Sequence, residues 1–213
     1  MVNGEFSAIR DLPCATRHSP LLMRLFVGIE LDGAVKAACA DAAAQLRARL
    51  RQSGADVTAR WVDPDNLHIT LWFIGEVNAE RANATASAIR PDFVTPAFDF
   101  EVRGSGAFPP SGRPRVFWIG VTDGRGSMGQ LYQEVKARLI PWGFEAEKRP
   151  YSPHVTIARV KDAGRGAARQ VREALAAVPA NCGSCRVRAV TLFRSQQSPH
   201  GSRYEPVLRV PLS

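Results

Sequence analysis

Two of the chain's four histidines occur in the same local setting. His68-Ile-Thr-Leu and His154-Val-Thr-Ile each place a threonine two residues after a histidine, with aliphatic residues between and after. In an extended strand the side chains alternate between two faces, so each histidine shares a face with its threonine while the aliphatic residues occupy the other face. A polar pair that is repeated inside apolar strands predicts one site built from two halves.

A pair of histidines suits general acid–base chemistry near neutral pH. With an unperturbed pKa of about 6.5, one imidazole can take a proton from a nucleophile while the other gives a proton to the leaving group. The hydroxyl groups of Thr70 and Thr156 can each donate a hydrogen bond to an anionic oxygen. An anion held by two hydroxyls between two histidines fits a phosphate ester that undergoes in-line displacement.

A metal or other cofactor is not expected. No carboxylate cluster accompanies His68 and His154, and two histidines fall short of the three or four ligands that zinc prefers. Cys182 and Cys185 form a single C-x-x-C pair without a second pair, which is a weak zinc signal.

The composition favours an anionic partner, with nucleic acid as the first candidate. The 28 Lys and Arg residues exceed the 20 Asp and Glu residues among 213, which gives a net charge of +8. Most of the excess is arginine, which codon usage in a GC-rich genome would also produce. No apolar run approaches the roughly 20 residues of a membrane span. We expect a cytoplasmic monomer, because the sequence has no signal-peptide run and no heptad pattern or extended apolar edge.

The order of predicted elements occurs twice along the chain. Each unit reads strand, helix, turn, H-x-T strand, helix, strand, and this internal duplication predicts two similar lobes whose H-x-T strands meet across a cleft. The predicted fold class is therefore α+β, with antiparallel sheets and outer helices around a central cleft. We expect residues 1–22 to be a largely disordered extension and residues 23–213 to form a single domain of two lobes.

The paired H-x-T-x segments resemble those of the two-histidine (2H) phosphoesterases, in particular the LigT/ThpR-like branch. The resemblance covers residues 23–212, and the matching segments follow in the same order: Arg24-Leu-Phe-Val-Gly-Ile-Glu, Arg60-Trp-Val-Asp-Pro-Asp-Asn-Leu, Phe73-Ile-Gly-Glu, Gly106-Ala-Phe-Pro, Arg115-Val-Phe-Trp, Glu147-Lys-Arg-Pro-Tyr-Ser-Pro-His-Val-Thr-Ile-Ala-Arg, Leu192-Phe-Arg-Ser and Arg203-Tyr-Glu.

This resemblance implies an RNA 2′,3′-cyclic phosphodiesterase that leaves a 2′-phosphate and needs no metal. It also implies a reversible 2′-5′ ligation of tRNA half-molecules. By the family's pattern, His68 would be the proton donor to the departing 3′-oxygen and His154 the proton acceptor that activates water. Thr70 and Thr156 would bind the phosphate. The near-symmetry of the two segments leaves the direction of proton transfer open on the residues alone.

Four further residues are candidate substrate contacts. Arg159 matches the arginine that follows the second H-x-T in the family, but a regular strand places it opposite His154, so a bulge or a strand end is required. Regular alternation places Trp72 on the cleft face, where it could stack on a base. Phe108, in a Gly/Pro-rich loop, and Tyr151, just before the second H-x-T, are weaker candidates.

Two other functions stay open on the sequence. One is a phosphodiesterase for small cyclic nucleotides, which other branches of the family perform. The other is a nucleotide- or RNA-binding module without catalytic activity. The intact histidine and threonine in both segments argue against the second.

Overall fold

The computed structural model describes residues 22–147, 149–178, 180–198 and 201–213, which contain nine strands, four α-helices and two short 3₁₀ helices at Pro64–Asn66 and Ile140–Trp142. The strands are β1 (Met23–Glu30), β2 (Val57–Trp61), β3 (His68–Val77), β4 (Phe98–Phe108), β5 (Val116–Val121), β6 (His154–Ala163), β7 (Asn181–Val187), β8 (Ala189–Ser198) and β9 (Gly201–Pro211). The helices are α1 (Gly33–Gln52), α2 (Ala79–Ile89), α3 (Arg125–Leu139) and α4 (Ala167–Ala176).

All nine strands belong to one sheet, and neighbouring strands pair antiparallel. The order is β7-β4-β5-β6-β3-β1-β8-β9, and β2 pairs with the far end of β6. The two H-x-T strands, β3 and β6, are therefore adjacent at the centre, with three further strands of the order on each side. The predicted α+β, antiparallel fold is confirmed, although the two lobes share one continuous sheet.

The two sequence repeats interleave in space. β4 follows the first H-x-T strand in sequence but pairs with β5 and β7, whereas the late strand β8 pairs with β1. The helices cross over too, since α1 packs on β7 and α4 while α3 packs on α2 and β3. The predicted duplication is present in the element order, but each lobe takes elements from both repeats.

Local sequence explains where two of the helices form. In α1, buried side chains recur every three or four residues at Val35, Cys39, Ala42, Leu46 and Leu50, which is the spacing of one helix face. α2 begins after Asn78, whose side-chain oxygen accepts a hydrogen bond from the backbone N–H of Arg81 at 2.8 Å. This N-cap satisfies a donor that the first helical turn leaves unpaired.

The expected N-terminal extension falls almost entirely outside the described residues, since only Leu22 is included, and so do His18 and His200. The assignment of residues 1–22 as an extension stays a prediction. Among the residues that the structure describes, no helix is long and apolar enough to cross a membrane.

Candidate active site

β3 and β6 each contain a bulge directly after the H-x-T segment. In β3 the residues on either side of Leu71 pair with consecutive residues of β1, so Leu71 has no partner of its own. In β6 the residues on either side of Ile157 pair with consecutive residues of β5. Because a bulge adds one residue to a strand, the alternation of faces is inverted beyond it in both halves.

The bulge at Leu71 overturns the predicted face of Trp72. Only 5% of Trp72 is exposed, and its ring packs against Tyr132 with centroids 5.9 Å apart, whereas 51% of Phe73 is exposed. Regular alternation is wrong here because it assumes a pairing without bulges. Substrate contact by Trp72 stays a prediction, since its side chain forms part of a cavity wall.

The bulge at Ile157 has the opposite consequence for Arg159. Arg159 lies three positions after Thr156, which regular alternation would place on the other face, but the inverted alternation returns the arginine to the face of His154 and Thr156. Arg159 is exposed, and its positive charge contributes to lowering the pKa of both His68 and His154. The structure therefore contains the bulge that a phosphate contact by Arg159 requires.

The two H-x-T segments meet at a single residue pair, Ile69 opposite Val155. Because β3 and β6 are antiparallel, one step away from this pair places His68 across from Thr156, and one step the other way places Thr70 across from His154. The site thus has local two-fold symmetry, with each histidine next to the threonine of the other half.

Backbone carbonyls fix the tautomers of both histidines. His68 Nδ1 lies 2.7 Å from the oxygen of Asn66, and His154 Nδ1 lies 2.7 Å from the oxygen of Ser152. A carbonyl can only accept a hydrogen bond, so Nδ1 carries the proton in each ring and the neutral ring has a lone pair on Nε2. His68 Nε2 accepts a hydrogen bond from the Thr70 hydroxyl at 3.0 Å.

Burial keeps both imidazoles neutral. Removal from water, which penalises the charged ring, lowers the pKa of His68 to about 4 and also lowers the pKa of His154. The Arg159 charge acts in the same direction on both rings, while Glu147 acts to raise the pKa of His154. At pH 7 the free protein therefore has two neutral imidazoles, each able to accept a proton at Nε2.

We expect the free energy of unfolding to fall as the pH drops through the window set by His68. The folded state binds a proton at a pKa of about 4 and the unfolded state at about 6.5, so stability is lost from about pH 6.5 down to pH 4. The loss attributable to this ring reaches about 3 kcal/mol at pH 4, because one pKa unit corresponds to about 1.4 kcal/mol. Denaturant titrations at pH 7 and pH 4 measure it. The His68→Asn variant has no titrating group at this position, so its free energy of unfolding should fall by about 3 kcal/mol less than that of the wild type between pH 7 and pH 4. An equal fall in both proteins would contradict the assignment.

Aromatic rings surround each histidine. The His68 ring lies 4.7 Å from Phe26 and 5.0 Å, edge-on, from Tyr204, measured between centroids. The His154 ring lies 5.0 Å from Phe108, also edge-on, and 6.5 Å from Trp118. These rings restrict water around the imidazoles and explain the burial that lowers their pKa.

Asn66 links the first histidine to strand β9. Its backbone oxygen holds His68 Nδ1, its side-chain oxygen accepts the backbone N–H of Tyr204 at 3.1 Å, and its side-chain amide donates to the backbone oxygen of Ser202. The asparagine therefore positions both the His68 ring and the Tyr204 ring that packs against it.

Two cavities of different chemistry flank the histidines. The aromatic cavity, of about 210 Å³, lies on the His154 side and is lined by Phe73, Phe108, Tyr132 and Tyr151 among others. The Tyr132 and Tyr151 rings stack in parallel with centroids 4.3 Å apart. Burial raises the pKa of Tyr151, and its hydroxyl is buried without a hydrogen-bond partner among the described residues.

The cationic cavity, of about 630 Å³, lies on the His68 side. It is lined by three arginines, Arg60, Arg159 and Arg203, together with residues around the 3₁₀ turn that precedes β3 and with Tyr204 of β9. The described part of the chain contains no group of three or more His, Cys, Asp or Glu side chains that could hold a metal ion.

Comparison with known families agrees with this two-fold site. The model of the LigT-like phosphoesterases matches the chain twice, over residues 34–118 and 119–204, and each match contains one H-x-T segment. The chain belongs to the LigT-like phosphoesterase family.

Relatives of this LigT-like phosphoesterase carry a consistent name. The chain is 38% identical over 168 residues to the RNA 2′,3′-cyclic phosphodiesterase of Aeropyrum pernix, and the alignment covers 76% of this chain and 93% of the relative. The RNA 2′,3′-cyclic phosphodiesterase of Archaeoglobus fulgidus is 32% identical over 183 residues, with 86% and 97% covered. The crystal structure of Escherichia coli LigT complexed with 3′-AMP superimposes with a TM-score of 0.67 at 28% identity, covering 90% of this chain and 99% of that one.

Several residues of this LigT-like phosphoesterase site were missed from the sequence. Phe26, Tyr204 and Trp118 lie in segments that resemble the family, but their contacts with the histidines join distant parts of the chain. Arg60 and Arg203 occur in segments that resemble the family, yet nothing local distinguished them from other exposed arginines. The available signal was their presence in segments shared with the family, outside the H-x-T strands themselves.

Proposed function

We propose that this chain is an RNA 2′,3′-cyclic phosphodiesterase, a hydrolase that opens a terminal 2′,3′-cyclic phosphate to a 2′-phosphate. The observation that carries the proposal is the pair of H-x-T segments across the Ile69–Val155 pair, in which both histidines have Nδ1 bound to a carbonyl and Nε2 left to exchange protons. The relatives named for this activity support it.

The histidines divide the proton transfers between them. His154 Nε2 takes a proton from water, the water oxygen attacks phosphorus, and the bond to the 3′-oxygen breaks as His68 Nε2 gives that oxygen a proton. One proton enters at His154 and one leaves from His68, so exchange with solvent restores both rings after each turnover. This assignment of acid and base rests on the family resemblance.

His68 must be protonated before it can act as the acid, although burial lowers its pKa in the free protein. A bound phosphate favours the charged ring, because an opposite charge nearby raises the pKa of an imidazole. When the Thr70 hydroxyl turns from His68 Nε2 to a phosphate oxygen, that nitrogen is also released to take the proton. Substrate binding and protonation of His68 are therefore linked.

Thr70, Thr156 and Arg159 bind the non-bridging phosphate oxygens in this proposal. Charge accumulates on these oxygens as water adds, and donors already in place stabilise it without reorganisation. Arg159 supplies a full positive charge from the same face of β6 as Thr156.

The aromatic cavity is the proposed position of the terminal nucleobase. Its exposed Phe73 and the stacked Tyr132–Tyr151 pair provide flat apolar surface, on which any base can stack. Phe108, next to His154, closes the cavity towards the reacting phosphate. Trp72 contributes to the wall from its largely buried position.

The same groups can also perform a ligation. A 5′-hydroxyl in place of water would join two RNA ends through a 2′-5′ linkage, with tRNA halves as the partners that the family resemblance implies. We further propose that the protein acts as a cytoplasmic monomer without a cofactor.

The activity assay compares two substrates in EDTA: a short RNA that ends in a 2′,3′-cyclic phosphate, and 3′,5′-cyclic AMP. We expect turnover of the RNA end and none of the 3′,5′-cyclic nucleotide, since the phosphate of the latter joins O3′ to O5′ and has no bond to O2′. A preference for 3′,5′-cyclic AMP would support the alternative of a phosphodiesterase for small cyclic nucleotides. Tight binding of the RNA end without turnover would support the binding-module alternative and overturn the proposal.

A further inference from the structure

Arg60 and Arg159 lie directly opposite each other on the paired strands β2 and β6. Both are exposed, and neither forms an ion pair within the described residues. Like charges directly opposite on neighbouring strands destabilise a sheet. An anion bound between the two guanidinium groups would remove this repulsion.

A third arginine approaches the same cavity from β9. Arg203 precedes Tyr204, whose backbone N–H is bound by the Asn66 side chain, so the segment is tied to the turn before β3. Arg203 is exposed and likewise forms no ion pair with a described residue.

The carboxylates in the wall do not cancel these charges. Asp63 and Asp65 line the same cavity, and the Asp63 side chain accepts the backbone N–H of Asp65 at 3.0 Å, which caps the 3₁₀ turn. Lys36 donates to the backbone oxygen of Asp65 at 3.1 Å and adds a positive charge at this edge. Three arginines and one lysine therefore face two carboxylates.

The chemistry of ribose indicates which anion belongs here. In ribose, C3′ bears O3′ and is bonded to C4′, which carries the 5′ side of the nucleotide. C2′ bears O2′ and is bonded to C1′, which carries the base. If O3′ faces His68, the 5′ side extends towards the cationic cavity and the base extends towards the aromatic cavity on the His154 side.

We propose that the cationic cavity, through Arg60 and Arg203, binds the phosphodiester that joins the terminal nucleotide to the rest of the RNA, while Arg159 in the same lining holds the reacting phosphate. This inference rests on the proposed function and assigns the residues that bind the RNA on the 5′ side of its terminal nucleotide. The two unlike cavities then break the two-fold symmetry of the H-x-T pairs and orient O3′ towards His68.

The test compares a mononucleoside 2′,3′-cyclic phosphate with a dinucleotide that ends in the same cyclic phosphate. We expect the wild-type protein to have a higher kcat/KM for the dinucleotide. Arg60→Ala and Arg203→Ala should each lower kcat/KM for the dinucleotide by about fivefold to tenfold, because each removes a charge-assisted contact at an exposed site. Neither variant should change kcat/KM for the mononucleotide. Arg172→Ala, at an exposed position on α4, is the matched control and should alter neither substrate.

Salt dependence provides a second measurement. Binding of one further phosphate of a single-stranded nucleic acid makes the slope of log affinity against log salt concentration more negative by about 0.7. For the wild-type protein this slope should therefore be steeper by about 0.7 for the dinucleotide than for the mononucleotide. In the Arg60→Ala, Arg203→Ala double variant the two slopes should be equal. Equal kcat/KM for the two wild-type substrates, or equal losses on both in the variants, would overturn the inference while cyclic phosphodiesterase activity remained. Absence of turnover on both substrates would instead overturn the proposed function.

Discussion

Replacement of either His68 or His154 by alanine is expected to lower kcat/KM for an RNA 2′,3′-cyclic phosphate by about 10²–10⁴-fold. In the proposed mechanism each ring performs one of the two proton transfers, and its Nε2 is the nitrogen left for that role because Nδ1 is bound to a carbonyl. Since the two transfers belong to one reaction, the double variant should be little worse than the weaker single variant. Steady-state kinetics with the purified variants measures both effects.

The control for this prediction must separate lost chemistry from lost folding. Both rings pack against aromatic neighbours, so thermal unfolding of each variant should be compared with that of the wild type. Added imidazole offers a positive control, because a free base or acid in the vacated space should restore part of the activity. Unchanged turnover in a folded His68→Ala or His154→Ala protein would remove the two-histidine mechanism.

The second large effect is expected at the threonines. Thr70→Val and Thr156→Val keep the shape of the side chain and remove one hydroxyl donor, which should lower kcat by about 10²–10³-fold if each donor meets the charge that develops on phosphate. Thr122→Val, at an exposed position after β5, is the matched control and should be near wild type. Losses below about threefold in both site variants would show that the hydroxyls do not contact the reacting phosphate.

The two threonine variants should differ in their pH dependence. In the free protein the Thr70 hydroxyl donates to His68 Nε2, which stabilises the neutral ring, whereas no described residue bonds to the Thr156 hydroxyl. Thr70→Val should therefore raise the pKa of His68, and Thr156→Val should leave it unchanged. Histidine proton resonances followed by NMR between pH 3 and pH 8 test this; equal pKa values in the two variants would contradict the assigned hydrogen bond.

The sequence was informative where a local pattern determines the structure. The repeated H-x-T segments predict two strands, and both strands are present. The buried face of α1 and the Asn78 cap likewise depend on residues a few positions apart. A bulge is different, since it depends on how a strand pairs with its neighbour. Regular alternation therefore placed Trp72 on the wrong face, and Phe73 was overlooked.

The surroundings of the site could not be predicted for a related reason. Tyr204 reaches His68 through Asn66, across more than half of the chain, and Arg60 meets Arg159 because β2 of one repeat pairs with β6 of the other. The duplication predicts similar halves but not their interleaving. Which rings and charges line each cavity therefore became visible only in the fold.

The most direct test of the two-histidine account is product analysis in EDTA with an RNA that ends in a 2′,3′-cyclic phosphate. The two-histidine mechanism predicts a 2′-phosphate as the sole product, formed without added metal and lost in both His68→Ala and His154→Ala. A 3′-phosphate product would contradict the orientation of O3′ towards His68, and activity that disappears with EDTA or persists in either variant would contradict acid–base catalysis by the two histidines.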